Sequence, residues 1–521
     1  MEYPRASGIL LHPTSLPGRY GIGDLGDWAY QFVDFLVESE QGIWQILPLG
    51  PTSYGDSPYQ ALSTFAGNPN LISLDRLVDE GWLENGDLAG APDFPEDRVD
   101  YGPVIEYHNR MLSLAFRRFR ERKTDAQAAA FDTFCKENAV WLDDFALFVA
   151  LKNAHGGKAW VEWPSGEALH EAEALSEAMQ KYGDAIEEEK FKQWVFFSQW
   201  FALKKYANDN GVRLIGDLPI FVAHDSSDVW ANRDQFYLDE TGQPTVVAGV
   251  PPDYFSETGQ RWGNPLYRWD VMAGQNYNWW VRRVAETLKT VDIVRIDHFR
   301  GFEAYWEIPA SEPTAVIGRW VPAPGFNFFT VLQETLGGDL PIIAEDLGVI
   351  TKSVRALRDH FGLPGMKVLQ FAWGGRGGEN SFLPHNHVPN CVVYTGTHDN
   401  NTTLGWWNNP AEVDEHIQQH VGNYVNYYVV EPHWTLIRLA MQSVAHTCVI
   451  PMQDVLGLGE EARMNTPGRP TGNWTWRLTA AQLQNAPVER LAALTKLYGR
   501  EREKQVVEEQ ETTVETTKTD E

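Results

Sequence analysis

The chain has 521 residues, of which 43% are hydrophobic and 12% aromatic. That composition provides a full core for one large domain or several smaller ones, and it excludes an intrinsically disordered protein. The 43 Lys and Arg against 71 Asp and Glu give a net charge of −28, so nucleic acid and anionic membranes are poor partners.

The N-terminal segment lacks the basic region, the long apolar run and the cleavage site of a signal peptide. No apolar run is long enough for a membrane-spanning helix. Cys135, Cys391 and Cys448 are scattered, with the spacing of neither a disulfide framework nor a zinc site. We therefore predict a cytoplasmic protein. The sequence carries no signal for an oligomeric state.

Short apolar runs, many ending in Gly, Pro, Asp or His, recur along the whole chain. Each is apolar on both faces, as expected of a fully buried strand. Helical patterns separate several of the runs, and repeated strand–helix alternation predicts a parallel sheet. Eight strands predict an α/β fold of the (β/α)8 barrel type. The runs are 8–12, 43–50, 212–222, 291–299, 341–348, 366–373, 391–399 and 448–454, and the helical patterns are 27–39, 279–290, 326–337 and 354–362.

The strands are unevenly spaced. Two gaps are too long for loops, and they predict insertions at about 52–210 and 223–290 in a single catalytic domain spanning 1–500. We expect the first insertion to be helical, with helices near 104–123, 126–151 and 169–209, and the second to be rich in loops over 223–270. After the last strand we expect a loop and a helix (478–500), with no C-terminal β-sandwich. Residues 501–521 form an acidic tail that we predict to be disordered.

Four carboxylates lie at the ends of predicted strands: Asp217, Asp297, Glu345 and Asp399. In a barrel these ends share one face, where the chemistry of such folds takes place. Cleavage of a glycosidic bond needs one protonated carboxyl group to donate to the leaving oxygen, and one ionised group to attack or stabilise the anomeric centre. Four strand-end acids therefore indicate this chemistry more strongly than any one of them does.

The two carboxyl groups must differ in pKa. Arg295 lies two residues before Asp297, on the same side of the strand, so we expect it to keep Asp297 ionised as a nucleophile. Glu345 has no basic neighbour, and burial among carboxylates would raise its pKa, as a general acid requires. His398 could donate a hydrogen bond to a sugar hydroxyl. A retaining mechanism would place the carboxyl groups of Asp297 and Glu345 about 5–5.5 Å apart.

Each feature also has a purely structural interpretation. Arg295 and Asp297 could form a buried ion pair, Glu345 and Asp346 could begin a helix, and residues 398–400 could form only a turn. These three explanations would have to hold together, and at one face of one barrel, for the site to be structural. We therefore favour the catalytic interpretation.

Tryptophan is unusually frequent, with 21 residues, many beside Gly, Pro, Asn or Arg. Examples are the segments NWW, RWGNP, GWWNNP and GNWTWR. Indole rings in such loops provide flat apolar faces with a polar edge, which suit sugar rings. A glucan-binding protein without chemistry is an alternative that this feature alone permits, but such a protein would not need carboxylates at four strand ends.

Long motifs from about residue 7 to residue 498 resemble the amylomaltases, also called disproportionating enzymes or 4-α-glucanotransferases, of the α-amylase clan of retaining glycosidases. The motifs that carry the resemblance are SGILLHPTSLPG, GDSPYQ, IGDLPIFVA, GVPPDYFS, VRIDHFRGF, AEDLG, YTGTHDN and ARMN. Such a resemblance implies a (β/α)8 barrel that transfers segments of α-1,4-glucan to a 4-hydroxyl group. It implies α-1,4-glucans and maltooligosaccharides as partners, and no cofactor or metal.

The resemblance also implies roles for individual residues. Asp297 would be the nucleophile, Glu345 the acid and then the base, and Asp399 the stabiliser of the transition state. Eight further residues would contact substrate: Tyr59, Asp217, Tyr254, Trp262, Arg295, His298, His398 and Asn465. One departure is visible, because the family pattern HDNDT is HDNNT here. We expect Asn401 to change only a neighbouring polar contact.

Two other enzyme classes remain as alternatives. An α-glucan hydrolase would use the same carboxylates, and would differ only in whether water or a sugar reaches the intermediate first. A metal-dependent hydrolase on the same barrel often carries His-x-His at the end of the first strand. Here that strand ends with His12 alone, and the segment PHNH (384–387) is predicted to be a loop.

Overall fold

The computed structural model describes residues 5–252, 256–375 and 377–503. These residues contain strands that belong to two separate sheets. The strands are β1 (Ala6–Leu10), β2 (Ile43–Gln45), β3 (Arg213–Pro219), β4 (Val246–Val250), β5 (Gln260–Pro265), β6 (Ile293–Asp297), β7 (Ala304–Pro309), β8 (Arg319–Pro322), β9 (Ile342–Ala344), β10 (Gly365–Val368), β11 (Cys391–Tyr394) and β12 (Thr447–Pro451).

The larger sheet has eight parallel strands in the order β10-β11-β12-β1-β2-β3-β6-β9. One hydrogen bond joins the two ends of this order: the Ala344 N–H at the end of β9 donates to the carbonyl of Pro364, just before β10, at 2.9 Å. The sheet is thus a nearly closed barrel, as the apolar runs predict. Gly8 lies where β1 meets β2, and a Cβ atom there would lie 2.3 Å from the Ile43 carbonyl oxygen, so no larger residue fits without a shift.

Helices lie between the strands along the described chain. They are α1 (Asp27–Glu38), α2 (Leu74–Asp79), α3 (Asn85–Leu88), α4 (Tyr101–Arg122), α5 (Asp125–Ala154), α6 (Ser165–Ala168), α7 (Ala172–Lys181), α8 (Gly183–Asp209), α9 (Ser227–Ala231), α10 (Trp269–Gly274), α11 (Asn278–Thr290), α12 (Gly325–Leu336), α13 (Lys352–His360), α14 (Thr403–Asn408), α15 (Glu415–Val425), α16 (Pro432–Gln442), α17 (Met452–Leu456), α18 (Ala480–Gln484) and α19 (Val488–Leu497). None of these helices is long and apolar enough to cross a membrane.

The segment between β2 and β3 is mainly helical and contains α2 to α8. Aromatic rings fill the space between its helices: Phe119 lies 4.8 Å from Phe191 and 5.3 Å from Trp82 and from Trp194, measured between ring centroids. The helix expected over 169–209 is in fact two helices, α7 and α8. The chain turns at Tyr182, whose backbone (φ −112°, ψ 19°) departs from helical values.

The second sheet was not predicted. It has four antiparallel strands in the order β5-β4-β7-β8, and β4 and β5 lie in the stretch expected to be loops. Both strands are short and contain glycine, which weakens a strand pattern in sequence. The pairing of β4 with β7, for example Val247 with Ile308, joins residues about sixty positions apart, which local patterns do not reveal.

No sheet strand follows β12 among the described residues up to 503; that stretch contains α17, α18 and α19. The end of the described chain lies against the barrel, because the Arg502 N–H donates to the Glu40 carbonyl at 3.2 Å. The remainder of the predicted tail lies outside the described residues. Arg500 has 0% of its surface exposed and donates to five carbonyl groups: those of Ala6, Met441, Ser443, Ala445 and His446.

Replacing Arg500 by alanine is expected to lower the free energy of unfolding by about 3 kcal/mol, because five buried carbonyl groups lose a charged donor. Chemical denaturation of the variant and the parent measures this difference. The matched control is Arg490→Ala, since Arg490 pairs with Glu431 at 2.6 Å but both side chains are nearly half exposed. The control should change stability by less than about 1 kcal/mol. Equal losses in the two variants would contradict the prediction.

Candidate active site

The barrel brings the four predicted carboxylates to one end. Asp217 lies near the end of β3, Asp297 is the last residue of β6, and Glu345 directly follows β9. Asp399 lies five residues beyond the end of β11. Parallel register aligns the neighbouring strands, with Pro219 opposite Asp297. Four acids from four strands therefore line the same mouth of the barrel.

Arg295 is the buried centre of the cluster. Its Nη1 donates to both carboxylate oxygens of Asp217, at 2.7 and 2.6 Å, and its Nη2 donates to Oδ1 of Asp297 at 3.0 Å. The Arg295 and Asp217 side chains are 3% and 0% exposed, while that of Asp297 is 29% exposed. Asp217 is thus locked in an ion pair, and Asp297 remains accessible from the cleft.

Opposing electrostatic effects act on the Asp297 carboxyl group. Burial raises its pKa, Arg295 lowers it, and Asp217 and Asp399 raise it, so that the net pKa is raised to about 6. Arg295 directs one nitrogen to Asp217, so its charge is shared between two carboxylates. Asp297 is still mostly ionised at neutral pH, which is the state a nucleophile needs.

Glu345 has the raised pKa that was predicted. Burial raises the pKa of this carboxyl to about 7, with the neighbouring charge of Asp297 adding to the effect. Two backbone N–H groups donate to it, from His298 at 2.7 Å and from Leu347 at 2.7 Å. His298 directly follows Asp297 and has a left-handed backbone (φ 52°), which is uncommon for a residue other than glycine. The hydrogen bond from the His298 N–H therefore holds the Glu345 carboxyl group next to the segment that contains Asp297.

Asp399 is held in its ionised form. Burial alone would raise its pKa, but His398 and a hydrogen bond from Asn465 outweigh burial, and the pKa lies well below its usual range. Asn465 Nδ2 donates to Asp399 Oδ1 at 2.7 Å, and His398 Nε2 lies 3.3 Å from Oδ2. Arg463, which sequence reasoning missed as a contact, donates to the Asp399 backbone carbonyl at 2.8 Å.

Tyr59 joins two strand ends through its hydroxyl group. The O–H donates to Asp217 Oδ2 at 2.7 Å, and the oxygen lies 2.9 Å from His398 Nε2. The ring stacks on His398 with a centroid distance of 5.3 Å and packs against Trp474 at 5.8 Å. Trp474 was not among the predicted site residues, although it lies in the Trp-rich segment GNWTWR (472–477).

The other predicted substrate residues lie at the wall of the cleft. Trp262 on β5 packs its ring edge-on to His298, with centroids 4.8 Å apart. The buried Nε2 of His298 has no hydrogen-bond partner. Tyr254 lies outside the described residues. Every predicted site residue that the structure describes is therefore connected to the carboxylate cluster by a direct contact or through one neighbour.

Asn401, the departure from the family pattern, is buried, with 3% of its surface exposed. Its Nδ2 donates to Glu412 at 3.2 Å, while its Oδ1 has no partner. Glu412 in turn lies 4.0 Å from Arg463. These contacts do not involve the Asp399 carboxyl group, which is held by Asn465 and His398.

Two histidines of the metal alternative make hydrogen bonds to protein groups. His12 Nδ1 accepts from the Leu47 N–H at 3.3 Å. His387 contacts Ser443 Oγ and the Phe382 carbonyl through its two ring nitrogens. Among residues 5–252, 256–375 and 377–503, no three His, Cys, Asp or Glu side chains are grouped so as to hold a metal ion.

A parallel barrel whose mouth holds one ionised and one protonatable carboxyl group, with a third acid beside them, has the arrangement that defines the barrel enzymes acting on glycosidic bonds. The family model described as 4-alpha-glucanotransferase matches residues 11–483. The 4-alpha-glucanotransferase of Thermus thermophilus is 54% identical over 502 residues, covering 95% of this chain and 99% of the relative. That of Synechocystis is 52% identical, covering 95% and 98%.

Solved structures agree with the sequence relatives. An amylomaltase from Streptococcus agalactiae in complex with acarbose has a TM-score of 0.92 and 41% identity, covering 95% of this chain and 100% of that one. The amylomaltase from Corynebacterium glutamicum shares the fold, with a TM-score of 0.78 at 18% identity. The chain belongs to the 4-alpha-glucanotransferase family.

Proposed function

We propose that the protein transfers segments of α-1,4-glucan to the 4-hydroxyl group of glucose or of another glucan, by a double displacement that retains the anomeric configuration. The observation that carries the mechanism is the pair formed by Asp297 and Glu345. Their pKa values are raised to about 6 and about 7, so near neutral pH one group is ionised while a large fraction of the other is protonated. The backbone contact through His298 supports the short separation that retention needs.

In the first step, the Asp297 carboxylate attacks the anomeric carbon while the bond to the leaving glycosidic oxygen breaks. Glu345 gives its proton to that oxygen, and a β-glucosyl ester forms on Asp297. Asp399 stabilises the positive charge that develops on the sugar. Its lowered pKa supports this role, because the group stays ionised throughout the pH range of the reaction.

In the second step, Glu345 is ionised and accepts the proton of the incoming 4-hydroxyl group. That oxygen attacks the anomeric carbon from the opposite face and releases Asp297, which restores the α configuration. The sugar at the cleavage point would contact Tyr59, His398, Arg295 and Asp217. Trp262, His298 and Asn465 would contact sugars along the cleft, and Tyr254 is proposed for the same role from sequence alone.

Hydrolysis is the second candidate, since the same three acids would serve it. The test is incubation with pure maltotriose, followed by separation of the products by chain length. Glucose and a ladder of longer maltodextrins, with no net gain of reducing ends, are expected. Glucose and maltose alone, with reducing ends rising, would show a hydrolase. Unchanged maltotriose would favour the binding-protein alternative.

The pH dependence of kcat/KM should be bell-shaped, with its maximum between about pH 6 and 7. Activity falls below pH 6 because Asp297, whose pKa is raised to about 6, gains a proton and can no longer attack. It falls above pH 7 because Glu345, whose pKa is raised to about 7, loses the proton that it must donate. Initial rates across pH 4–9 measure both limbs.

The two limbs can be assigned with an α-maltosyl fluoride donor, because fluoride leaves without protonation. In Glu345→Gln the alkaline limb should disappear with this donor, and the acid limb should remain. Loss of the acid limb instead would reverse the assignment of the two groups.

A further inference from the structure

Arg283 on α11 is a buried guanidinium group, 1% exposed, that binds two different walls of the cleft. Its Nη2 donates to the Pro219 carbonyl at 2.6 Å and its Nη1 to the Ile220 carbonyl at 3.2 Å. These carbonyls follow Asp217 by two and three residues. Its Nε donates to Thr64 Oγ1 at 2.6 Å. Thr64 belongs to residues 57–66, named here the Tyr59 loop.

The same loop is held from a second direction by the short helix α9. Asp228 Oδ2 accepts from the Thr64 N–H at 2.8 Å, and the Ser227 N–H donates to the Leu62 carbonyl at 2.9 Å. Thr64 is therefore fixed through both its backbone and its side chain. The indole rings of Trp279 and Trp280 lie over the Arg283 guanidinium, 5.5 and 4.6 Å from its central carbon. In such a dry setting, each hydrogen bond is strong and directional.

Packing holds part of the Tyr59 loop, because the Phe65 ring lies 6.3 Å from Trp141 and 6.1 Å from Trp279, measured between ring centroids. A cavity of about 640 Å³ lies behind the loop, lined by Pro58, Thr64, Phe65, Trp141 and Phe197 among others. Where the loop borders this cavity, close packing does not hold it. The hydrogen bonds that link the loop to α9 and, through Arg283, to the end of β3 are therefore more important for its position than they would be in a close-packed site.

We propose that Arg283 and Asp228 are positioning residues, which hold Thr64 so that the Tyr59 hydroxyl group reaches Asp217 and His398. Arg283 ties the strand end that carries Asp217 to the loop that carries Tyr59, so it fixes the separation of two walls of the sugar site. The inference rests on the proposed function, because it needs Tyr59 to contact the sugar at the cleavage point.

The test is Thr64→Val, which removes the oxygen that accepts from Arg283 and keeps the side-chain volume. We expect kcat for maltotriose disproportionation to fall about tenfold, with little change in KM, because a small displacement of Tyr59 is felt mainly in the transition state. Thr64→Ser restores the oxygen and should recover most of the rate. Thr287→Val is the matched control: its hydroxyl binds only the Arg283 backbone carbonyl, at 2.8 Å, and its rate should equal that of the parent.

A double-mutant cycle separates positioning from a general loss of structure. In a Tyr59→Phe background, Thr64→Val should lower kcat by less than about twofold, because the Tyr59 hydroxyl group that Thr64 helps to position is already absent. A full further tenfold loss, or a Thr64→Val enzyme as fast as the parent, would overturn the proposal. Thr64→Ala serves if the valine variant does not fold, and rates are taken well below each melting temperature. If the parent enzyme itself leaves maltotriose unchanged, the proposed function fails instead.

Discussion

Replacing Asp297 by alanine should lower kcat for glucan transfer by on the order of 10⁵, because the ester intermediate can no longer form. Added azide should restore part of the rate. The anion can enter the space left by the carboxylate and attack the anomeric carbon from the same face, while Glu345 protonates the leaving oxygen. The product would be the β-glycosyl azide, which NMR distinguishes from the α form.

The control for this variant is Asp270→Asn, which neutralises an exposed carboxylate on α10 and should leave kcat unchanged. Asp297→Asn tests folding separately. Burial raises the pKa of Asp297 to about 6, so a neutral side chain is better tolerated there than a charge, and we expect a melting temperature no lower than that of the parent. An Asp297→Ala enzyme with a kcat near that of the parent would remove the nucleophile assignment.

Replacing Glu345 by alanine should lower kcat on maltotriose by about 10³–10⁴, the usual contribution of a general acid and base. With α-maltosyl fluoride the first step should stay fast, since fluoride needs no proton, and the ester on Asp297 should accumulate. Azide would then attack that ester from the opposite face and yield the α-glycosyl azide. Opposite configurations from the two alanine variants would therefore assign both roles.

The control for the second variant is Glu334→Gln on α12, at an exposed position. This change should leave kcat unchanged with both maltotriose and α-maltosyl fluoride. Azide products of the same configuration from Asp297→Ala and Glu345→Ala would contradict the proposed roles of Asp297 as the nucleophile and Glu345 as the acid and base. Equal losses with maltotriose and with the fluoride donor in Glu345→Ala would show that the group does not act as the acid of the first step.

The sequence was sufficient to predict the barrel and the place of its four carboxylates. Each barrel strand is buried on both faces, so each is a local run of apolar residues, and a polar residue at its end stands out. Asp297 at the end of IVRID and Glu345 after IIA are examples. A parallel arrangement then places all such ends together, whatever the distance between them in the chain.

Sequence reasoning failed where partners are distant and their pairing has no local pattern. The antiparallel sheet pairs β4 with β7 across a long stretch of chain, and its short strands are weak signals by themselves. The Tyr59 ring meets His398 and Trp474, which lie more than three hundred residues further along. The contact between Arg463 and Asp399 is of the same kind.

The charge state of Asp297 shows most clearly which properties the sequence determines and which depend on the tertiary structure. The sequence determined that Arg295 and Asp297 share one side of a strand, because alternate residues of a strand point the same way. Only the tertiary structure decided that Asp217, from the neighbouring strand, takes both hydrogen bonds of Arg295 Nη1. A pKa depends on every charge nearby and on the loss of water around the group, and both are fixed only when the strands assemble.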